Sequence, residues 1–348
     1  MRSALEASGL PFPGRAHHTL NTLTNWVPII RVMKRASARP RWPRGAAALI
    51  LALSLGLTAC TGAAADSVRS PGPSPSPAAA RATSPASEVD KIFLIVEENR
   101  SVQDVETHMP FLMSQARTYG TATNFYAITH PSLPNYLVLA GGSTFGITDD
   151  DDPSAHQLQG PSLFGQLVSA GRTAKTYAEA MQTNCARENH GTYAVRHNPW
   201  TYFDEPAERS SCDQFDVPSG SPTAGALVDD VTAGNLPTLG LLVPDICHDG
   251  HDCSAALTDD WLQSWLLTIK NGPDFSLGRL AIVITWDEDD DHSGNQVPMV
   301  VIHPSLKDRQ VTTRLDHYGV SASISRIGGI PLLRDANNRT DALAAFGL

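Results

Sequence analysis

From about residue 88 onward, short continuous apolar runs alternate with longer stretches in which apolar residues recur at helical spacing. KIFLIVEEN (91–99) sets the type: Ile92 to Val96 are uninterrupted, and then the chain turns abruptly acidic. A run that is apolar on both faces predicts a buried strand ending in a polar loop. The same pattern predicts strands at 124–128, 175–179, 238–244, 279–288 and 298–303, and helices at 104–119, 160–171, 222–234, 256–271 and 317–328. Strands that alternate with helices predict an α/β fold, a mainly parallel central sheet flanked by helices on both faces. Ligands of such sheets bind beyond the C-terminal ends of the strands, so the residues that follow each strand carry the functional question.

Residues 1–87 break this pattern. In MKRASARPRWPRGAAALILALSLGLTAC (33–60), Lys34, Arg35, Arg39, Arg41 and Arg44 precede an apolar stretch, Ala46 to Leu57. That stretch falls far short of the ~20 residues of a membrane span, and the order of parts is that of an export signal. Leu57-Thr58-Ala59-Cys60 resembles a bacterial lipobox, in which Cys60 becomes lipidated and N-terminal; ordinary cleavage near 63–65 is the alternative. Met33 is then the expected start, with 1–32 an upstream extension. Residues 61–87 are rich in Pro, Ser and Ala and poor in large apolar side chains, the composition of an extended tether. The expected organisation is an extension and signal peptide at 1–59, a lipidated cysteine and tether at 60–87, and a folded domain at 88–348. The chain is expected to be exported, lipid-anchored to the outer face of the cell membrane or secreted.

Charge divides in the same way. Residues 1–59 hold eight Lys/Arg against one acidic residue; from Cys60 onward 18 basic residues face 35 acidic ones, a net charge of -17 within a chain total of -10. Such a surface repels nucleic acid phosphates, and no Lys/Arg cluster follows residue 60, which argues against a nucleic acid partner. With Cys60 set aside, four cysteines remain in an exported chain, and an even count in an oxidising compartment predicts two disulfides. Of the three possible pairings, short loops favour Cys185–Cys212 and Cys247–Cys253. No CxxC spacing supports zinc ligation instead.

Chemistry-bearing residues gather where the strands end. One strand runs into Glu97-Glu98-Asn99-Arg100-Ser101, another into Asp245 and Cys247-His248-Asp249-Gly250-His251-Asp252, a third into Asp287-Glu288-Asp289-Asp290-Asp291-His292. Carboxylates crowded at one sheet edge repel each other unless a cation holds them. In ITHPSLPNYLVLAGG (128–142), Pro131 and Pro134 bracket Ser132. Two prolines restrict the backbone and remove two donors, a stiff mount for a single hydroxyl. Asp149 to Asp152 reads as a solvated loop and His303 as a packing or turn residue.

EENRS, HPSLPNY, CHDGHD, TWDEDD and LDHYGVSASI, in this order, resemble the bacterial phosphoesterases of the alkaline-phosphatase superfamily. The closer group holds acid phosphatases and phosphatidylinositol-3-phosphatase-like enzymes, with phospholipases C as relatives. The resemblance covers about residues 90–333. It implies an alkaline-phosphatase-like fold and a phosphoesterase catalytic domain at 88–348. It implies Glu98 and Asn99 as a first pair of metal ligands and Asp287 and Glu288 as a second. It implies Ser132 as a metal-bound nucleophile and His251 and His317 as catalytic histidines. Arg196, His197 and Asn135 become substrate-binding residues, with Arg196 standing where related sequences more often have Lys.

The activity so implied is that of a metal-dependent phosphoric monoester hydrolase, acid-phosphatase-like, working through a phosphoserine. Its substrate would be a phosphorylated small molecule or a phospholipid headgroup, phosphoinositides included. Oxygen donors suit Mg, Mn or Ca, and a nearby histidine moves the balance toward Zn or Fe. Two other readings stay open: a phospholipase C-type phosphodiesterase on the same scaffold, and a surface lipoprotein that captures calcium or a phosphorylated ligand without turnover. Histidines beside a phosphate predict an acid to neutral optimum. The chain is expected to be a monomer.

Overall fold

The computed structural model describes residues 89–348. The extension, export signal, Cys60 and tether read from the sequence lie outside the described residues. Strand β1 (Lys91–Glu97) is the uninterrupted apolar run, buried from Ile92 to Glu97. Then follow α1 (Val102–His108), α2 (Pro110–Thr118), β2 (Gly120–Ala122), β3 (Phe125–Tyr126), α3 (Ser132–Gly141), α4 (Leu163–Ser169) and β4 (Ala174–Ala178). After two short 3-10 turns come α5 (Pro206–Phe215), β5 (Asp216–Pro218), α6 (Ala226–Ala233), β6 (Leu239–Val243), α7 (Ala255–Lys270) and α8 (Pro273–Ser276). The chain ends with β7 (Leu280–Trp286), β8 (Met299–Ile302), β9 (Arg309–Val311), β10 (Leu315–Asp316), α9 (His317–Gly328) and α10 (Ala342–Phe346).

Eight strands form one sheet in the order β5-β4-β6-β1-β7-β8-β2-β9, and only the pairings of β8 are antiparallel. The fold is therefore α/β with a mainly parallel sheet. Its helices pack as two groups, α7 with α1, α2, α6 and α8, and α9 with α3, α4 and α10. β1, the most apolar strand, lies between β6 and β7, where both its edges and both its faces are covered. Gly240 in β6 makes this packing possible, since a Cβ there would meet the Phe93 ring at 2.4 Å. No helix among the described residues is long and apolar enough to cross a membrane.

Three elements differ from the sequence pattern, each for a local reason. The helix expected at 104–119 breaks at Met109 (φ −119°, ψ 66°), because Pro110 crowds the residue before it out of the helical region. The strand expected at 124–128 shrinks to β3, which leaves the main sheet and pairs with β10. Helix α5 has no apolar stripe to betray it (PAERSSCDQF) and is held instead by Cys212, which is bonded to Cys185. The second disulfide, Cys247–Cys253, closes a tight loop just after β6.

Beside Cys212, the buried Asp216 accepts a hydrogen bond from Asn198 Nδ2 (2.8 Å), while its Oδ1 has no partner. Burial pushes its carboxyl up to about 8. An unfolded aspartate titrates near ~4, so across the window from ~4 to about 8 the folded state holds a proton that the unfolded chain has lost. Stability from this group is full below that window and falls as pH rises through it. Asp216→Asn is expected to flatten the decline of Tm over this range in thermal denaturation; a slope equal to wild type would contradict the assignment.

Candidate active site

The ends of β1 and β7 are neighbours in register, Glu97 opposite Trp286, so the residues that follow them emerge side by side. The Asp287 N–H donates to the Glu97 carbonyl (2.9 Å), and the Glu98 N–H donates to the Asp249 carbonyl (2.9 Å), which ties in the loop after β6. Asn99 takes a left-handed conformation (φ 52°), one that asparagine tolerates better than most side chains. Its N–H donates to Asp287 Oδ1 (3.3 Å). Glu98, Asp249, Asp287 and Glu288 are all buried.

Ser132 is the first residue of α3 and only 3% exposed. The two prolines now have a shared purpose. Pro131 is the extended N-cap, and Pro134 sits in the first turn, where the helix makes no use of an N–H. The Ser132 hydroxyl donates to Glu98 Oε2 (3.1 Å) and lies against the Asp287 carboxylate as well. Tyr136, one turn further along α3, donates to the other oxygen, Glu98 Oε1 (2.7 Å), and stacks on the His197 ring at 5.2 Å. His197 has Nε2 3.1 Å from Glu98 Oε1 and Nδ1 3.0 Å from Asp249 Oδ2. Those distances are short but the directions are wrong for hydrogen bonds, so both ring nitrogens and Asp249 Oδ2 stay without one. Asp287 Oδ2 and both carboxylate oxygens of Glu97 are likewise buried without a hydrogen-bond partner.

This crowding shows in the titration of the site. Burial, then the Asp287 and Asp249 carboxylates, hold the Glu98 carboxyl well above its usual range. Burial raises Asp287 and Asp249 to about 7 each, and burial with Asp287 close by raises Glu288 to about 9. Glu97 is raised by burial, then by Asp249 and Glu179. Burial first, then the Arg196 charge, holds His197 well below the usual imidazole range. Donor atoms of Glu98, His197 and Asp249 lie within 4.8 Å of one another. Converging oxygen donors, partnerless buried carboxylate atoms and an imidazole that is close without being hydrogen-bonded are what a divalent cation requires. The residues fit such an ion.

Other predicted residues take more distant places. His251 stands at the rim, its Nε2 3.2 Å from Arg196 Nη2 and its Nδ1 2.7 Å from Asp252 Oδ1. Its ring is 6.2 Å from that of His197. Asn135 is fully buried and engaged with the loop that carries Ser132: it accepts from the N–H groups of Ile128 and Thr129 and donates to Thr129, Pro131 and Glu288 Oε2. It braces the serine mount and touches Glu288 with the same amide. His317 is buried behind β7, with Nε2 3.0 Å from the Trp286 carbonyl and its ring 5.5 Å from Phe125. Burial lowers it to about 4, so the ring is neutral, and its Nδ1 has no partner. Among the described contacts none joins His317 to Ser132.

Sequence reasoning passed over Tyr136, Asp249 and His130. Tyr136 stands four residues after Ser132, a spacing that becomes informative once 132–141 is known to be helical. Asp249 sits among four other polar residues of the 245–252 loop, and nothing in the string separates it from them. His130 approaches Glu288 Oε2 (3.2 Å) and Asp289 Oδ1 (3.3 Å). Asp289 in turn accepts from the N–H groups of Ser293 and Asn295 and shapes the acidic loop.

The Phosphoesterase family profile matches residues 105–331. A phosphatidylinositol-3-phosphatase of Mycobacterium tuberculosis is 32% identical over 255 residues, 71% of this chain and 79% of that protein. An acid phosphatase of Aspergillus fumigatus is 29% identical over 269 residues, 72% of this chain and 58% of its own length, so this chain spans little more than half of that fungal relative. A solved protein of the alkaline phosphatase superfamily from Vibrio parahaemolyticus superposes with a TM-score of 0.51 over 73% of this chain and 69% of its own, at 10% identity, a likeness of fold.

Removing the Tyr136 hydroxyl takes a donor from a buried carboxylate. Tyr136→Phe is expected to cost about 1–3 kcal/mol of stability, read from denaturant unfolding. A cost of less than about 0.5 kcal/mol, within the range of an inconsequential substitution, would show that this bond does not hold Glu98.

Proposed function

Because the chain belongs to the Phosphoesterase family and is a phosphoric ester hydrolase, we propose that it is a metal-dependent phosphoric monoester hydrolase with Ser132 as nucleophile. One observation carries this reading. A buried serine hydroxyl is held at a helix N-terminus between Glu98 and Asp287, at the edge where the buried carboxylates converge.

Glu98, Asn99, Asp287, Glu288 and Ser132 would hold the cation, with Asp249 and His197 within reach. A divalent ion bound there lowers the pKa of a coordinated hydroxyl and offsets phosphate charge. Ser132 Oγ attacks phosphorus, the bond from phosphorus to the alcohol oxygen breaks, and a phosphoserine forms. The Ser132 proton already points at Glu98 Oε2. Arg196 and His251, side by side at the rim, face the phosphoryl oxygens and the leaving oxygen, Arg196 with its planar fork and His251 as the group placed to deliver a proton. Water then attacks the phosphoserine and releases phosphate. The α3 N-terminus adds fixed positive potential where charge develops.

The guanidinium of Arg196 at the rim favours a monoester dianion over a diester. Phosphoinositide headgroups are the substrate class supported by the mycobacterial relative's name together with the lipid anchor read at Cys60. The two disulfides support an exported enzyme.

Ser132→Ala is expected to lower hydrolysis of p-nitrophenyl phosphate by more than about 10³-fold, as removal of a nucleophile does. Acid-quenched wild type should yield phosphate on the Ser132 peptide by mass spectrometry. Unchanged turnover in the variant would remove Ser132 as nucleophile. Cleavage of phosphatidylcholine without cleavage of the monoester would favour the phosphodiesterase instead.

A further inference from the structure

An open cavity of about 530 Å³ is lined by Asp152, Ser154, Gln157, Arg187, Glu188 and Asn189. Its volume falls within the ~300–1,000 Å³ of small-molecule sites, but its wall lacks their usual apolar character. None of these lining side chains is aliphatic or aromatic.

Both walls are tied to the residues around Ser132. Asp149 to Asp152 reads from the sequence as a solvated loop, yet Asp150 Oδ1 accepts from the N–H of Leu133 (2.9 Å), the neighbour of Ser132. Asp150 is also near enough for its charge to act on His197 and Glu288. Asp152 lies two residues beyond that contact, at most ~7 Å of extended chain. On the other wall, Asn189 Oδ1 accepts from the N–H of Val195 (2.9 Å), the residue before Arg196. Asn189 Nδ2 donates to Asp152 Oδ1 (3.2 Å) and closes the two walls on each other. Tyr202 donates to the Asp151 carbonyl (3.1 Å), and the Cys185–Cys212 bond anchors the chain just before Arg187. A phosphoryl group between Ser132 and Arg196 therefore has a rigid cavity within reach of the group esterified to it.

The wall chemistry selects that group. Ser154, Gln157 and Glu188 have no side-chain hydrogen bond or ion pair among the described residues, so a hydroxyl, an amide and a carboxylate are free for a ligand. Arg187 is paired with Asp204 (2.9 Å), which leaves the wall negative through Asp152 and Glu188. Such a wall repels a second phosphate, and an acyl chain or aromatic ring finds no apolar surface on it. A group with several hydroxyls, each able to donate to a carboxylate and accept from an amide, finds partners throughout.

We propose that this cavity is the leaving-group site and that it takes a polyhydroxylated ring, a sugar or a cyclitol. The inference rests on the Ser132 centre as the place of hydrolysis and adds to it the choice of alcohol. Gln157 and Glu188 are its specificity residues. Both are exposed and brace nothing else among the described residues, so their truncation spares the fold and the phosphate centre.

The test compares glucose 6-phosphate with p-nitrophenyl phosphate on the full chain. Gln157→Ala is expected to lower kcat/KM for the sugar ester about 3- to 10-fold and Glu188→Ala about 10- to 100-fold, the losses of a neutral and a charge-assisted hydrogen bond, with the aryl ester within about 2-fold of wild type. Phosphatidylcholine vesicles that carry a phosphatidylinositol monophosphate separate the two sources of such a ring. Phosphate release from the vesicles, depressed by the same two variants, identifies a lipid headgroup; the same behaviour confined to glucose 6-phosphate identifies a free sugar phosphate. Either result upholds the cavity. Equal losses on sugar and aryl esters, or no loss on any ester, would overturn it. Turnover retained in Ser132→Ala would remove the nucleophile while the comparison of variants still reads the cavity. Should wild type hydrolyse none of these esters, the phosphatase reading falls, and calorimetry with glucose 6-phosphate decides: binding weakened in Glu188→Ala upholds the cavity, and no binding, or binding unchanged in that variant, sinks it.

Discussion

Repulsion among buried carboxylates is the constraint on which the rest of this structure depends. Two unit charges 4 Å apart cost about 4 kcal/mol at an effective dielectric of ~20. Glu98, Asp249, Asp287 and Glu288 share one buried space. Several such pairs together would exceed the ~5–15 kcal/mol by which a domain is stable. The chain's own compensation is a few hydrogen bonds and one charge: the Tyr136 and Ser132 hydroxyls, the Asn99 and His251 N–H groups, the Asn135 amide and the half-buried Arg196. These groups are therefore either protonated or held by a cation. A fold that keeps four acids together under such a penalty keeps them for chemistry, since apolar residues of similar volume would be more stable.

The sheet makes that concentration possible. Only a parallel arrangement delivers β4, β6, β1 and β7 with their C-terminal ends at one edge, so that four post-strand segments contribute donors to a single region. β8 runs the other way and contributes none of the donors named above. Helix α3 enters from above with its N-terminus at the same edge, which brings Ser132 and Tyr136 onto opposite oxygens of Glu98. The hydroxyl of Ser132 is thus positioned by the same carboxylate that would ligate the proposed ion, so the hydroxyl and the acid cluster cannot drift apart.

How much of this was readable in the string follows from what a linear pattern encodes. Burial is local: Ile92 to Val96 and Leu280 to Trp286 announced themselves as buried strands, and the acids after them as a functional edge. Strand direction is not local, and β8 gave no sign of being antiparallel. Elements of two or three residues, such as β3 and β9, are too short for any period to show. Partner choice is the least local property of all. The resemblance makes Asn135 a substrate-binding residue beside Ser132, and nothing in the string shows that its amide also reaches Thr129, Pro131 and Glu288. His317 opens α9 as the motif implied, but it meets the Trp286 carbonyl in the core. Asp249, which no spacing favoured over His251, is the member of that loop closest to His197.

The double proline resolves on energetic grounds. A nucleophile gains from being ordered before substrate arrives, since fixing one residue's backbone costs about 1–2 kcal/mol that would otherwise come out of binding. Pro131 and Pro134 reduce that cost in the unfolded chain, where φ is already restricted at both positions. Asn135 removes the remaining freedom by closing the 128–131 loop on itself through four hydrogen bonds, two accepted and two donated, and its amide also reaches Glu288. The rigidity lies in a segment with no cation donor other than Ser132, while the donors themselves sit on loops tied by a disulfide and by Asp289. The serine is fixed to the helix and the acids are fixed to the sheet, and the two frames meet through the Ser132 hydroxyl on Glu98 and Asp287, the Tyr136 bond to Glu98 and the Asn135 bond to Glu288. Under the proposed mechanism, chemistry at Ser132 would take place where helix and sheet meet, and a displacement of a few tenths of an ångström in either would be felt directly by its oxygen.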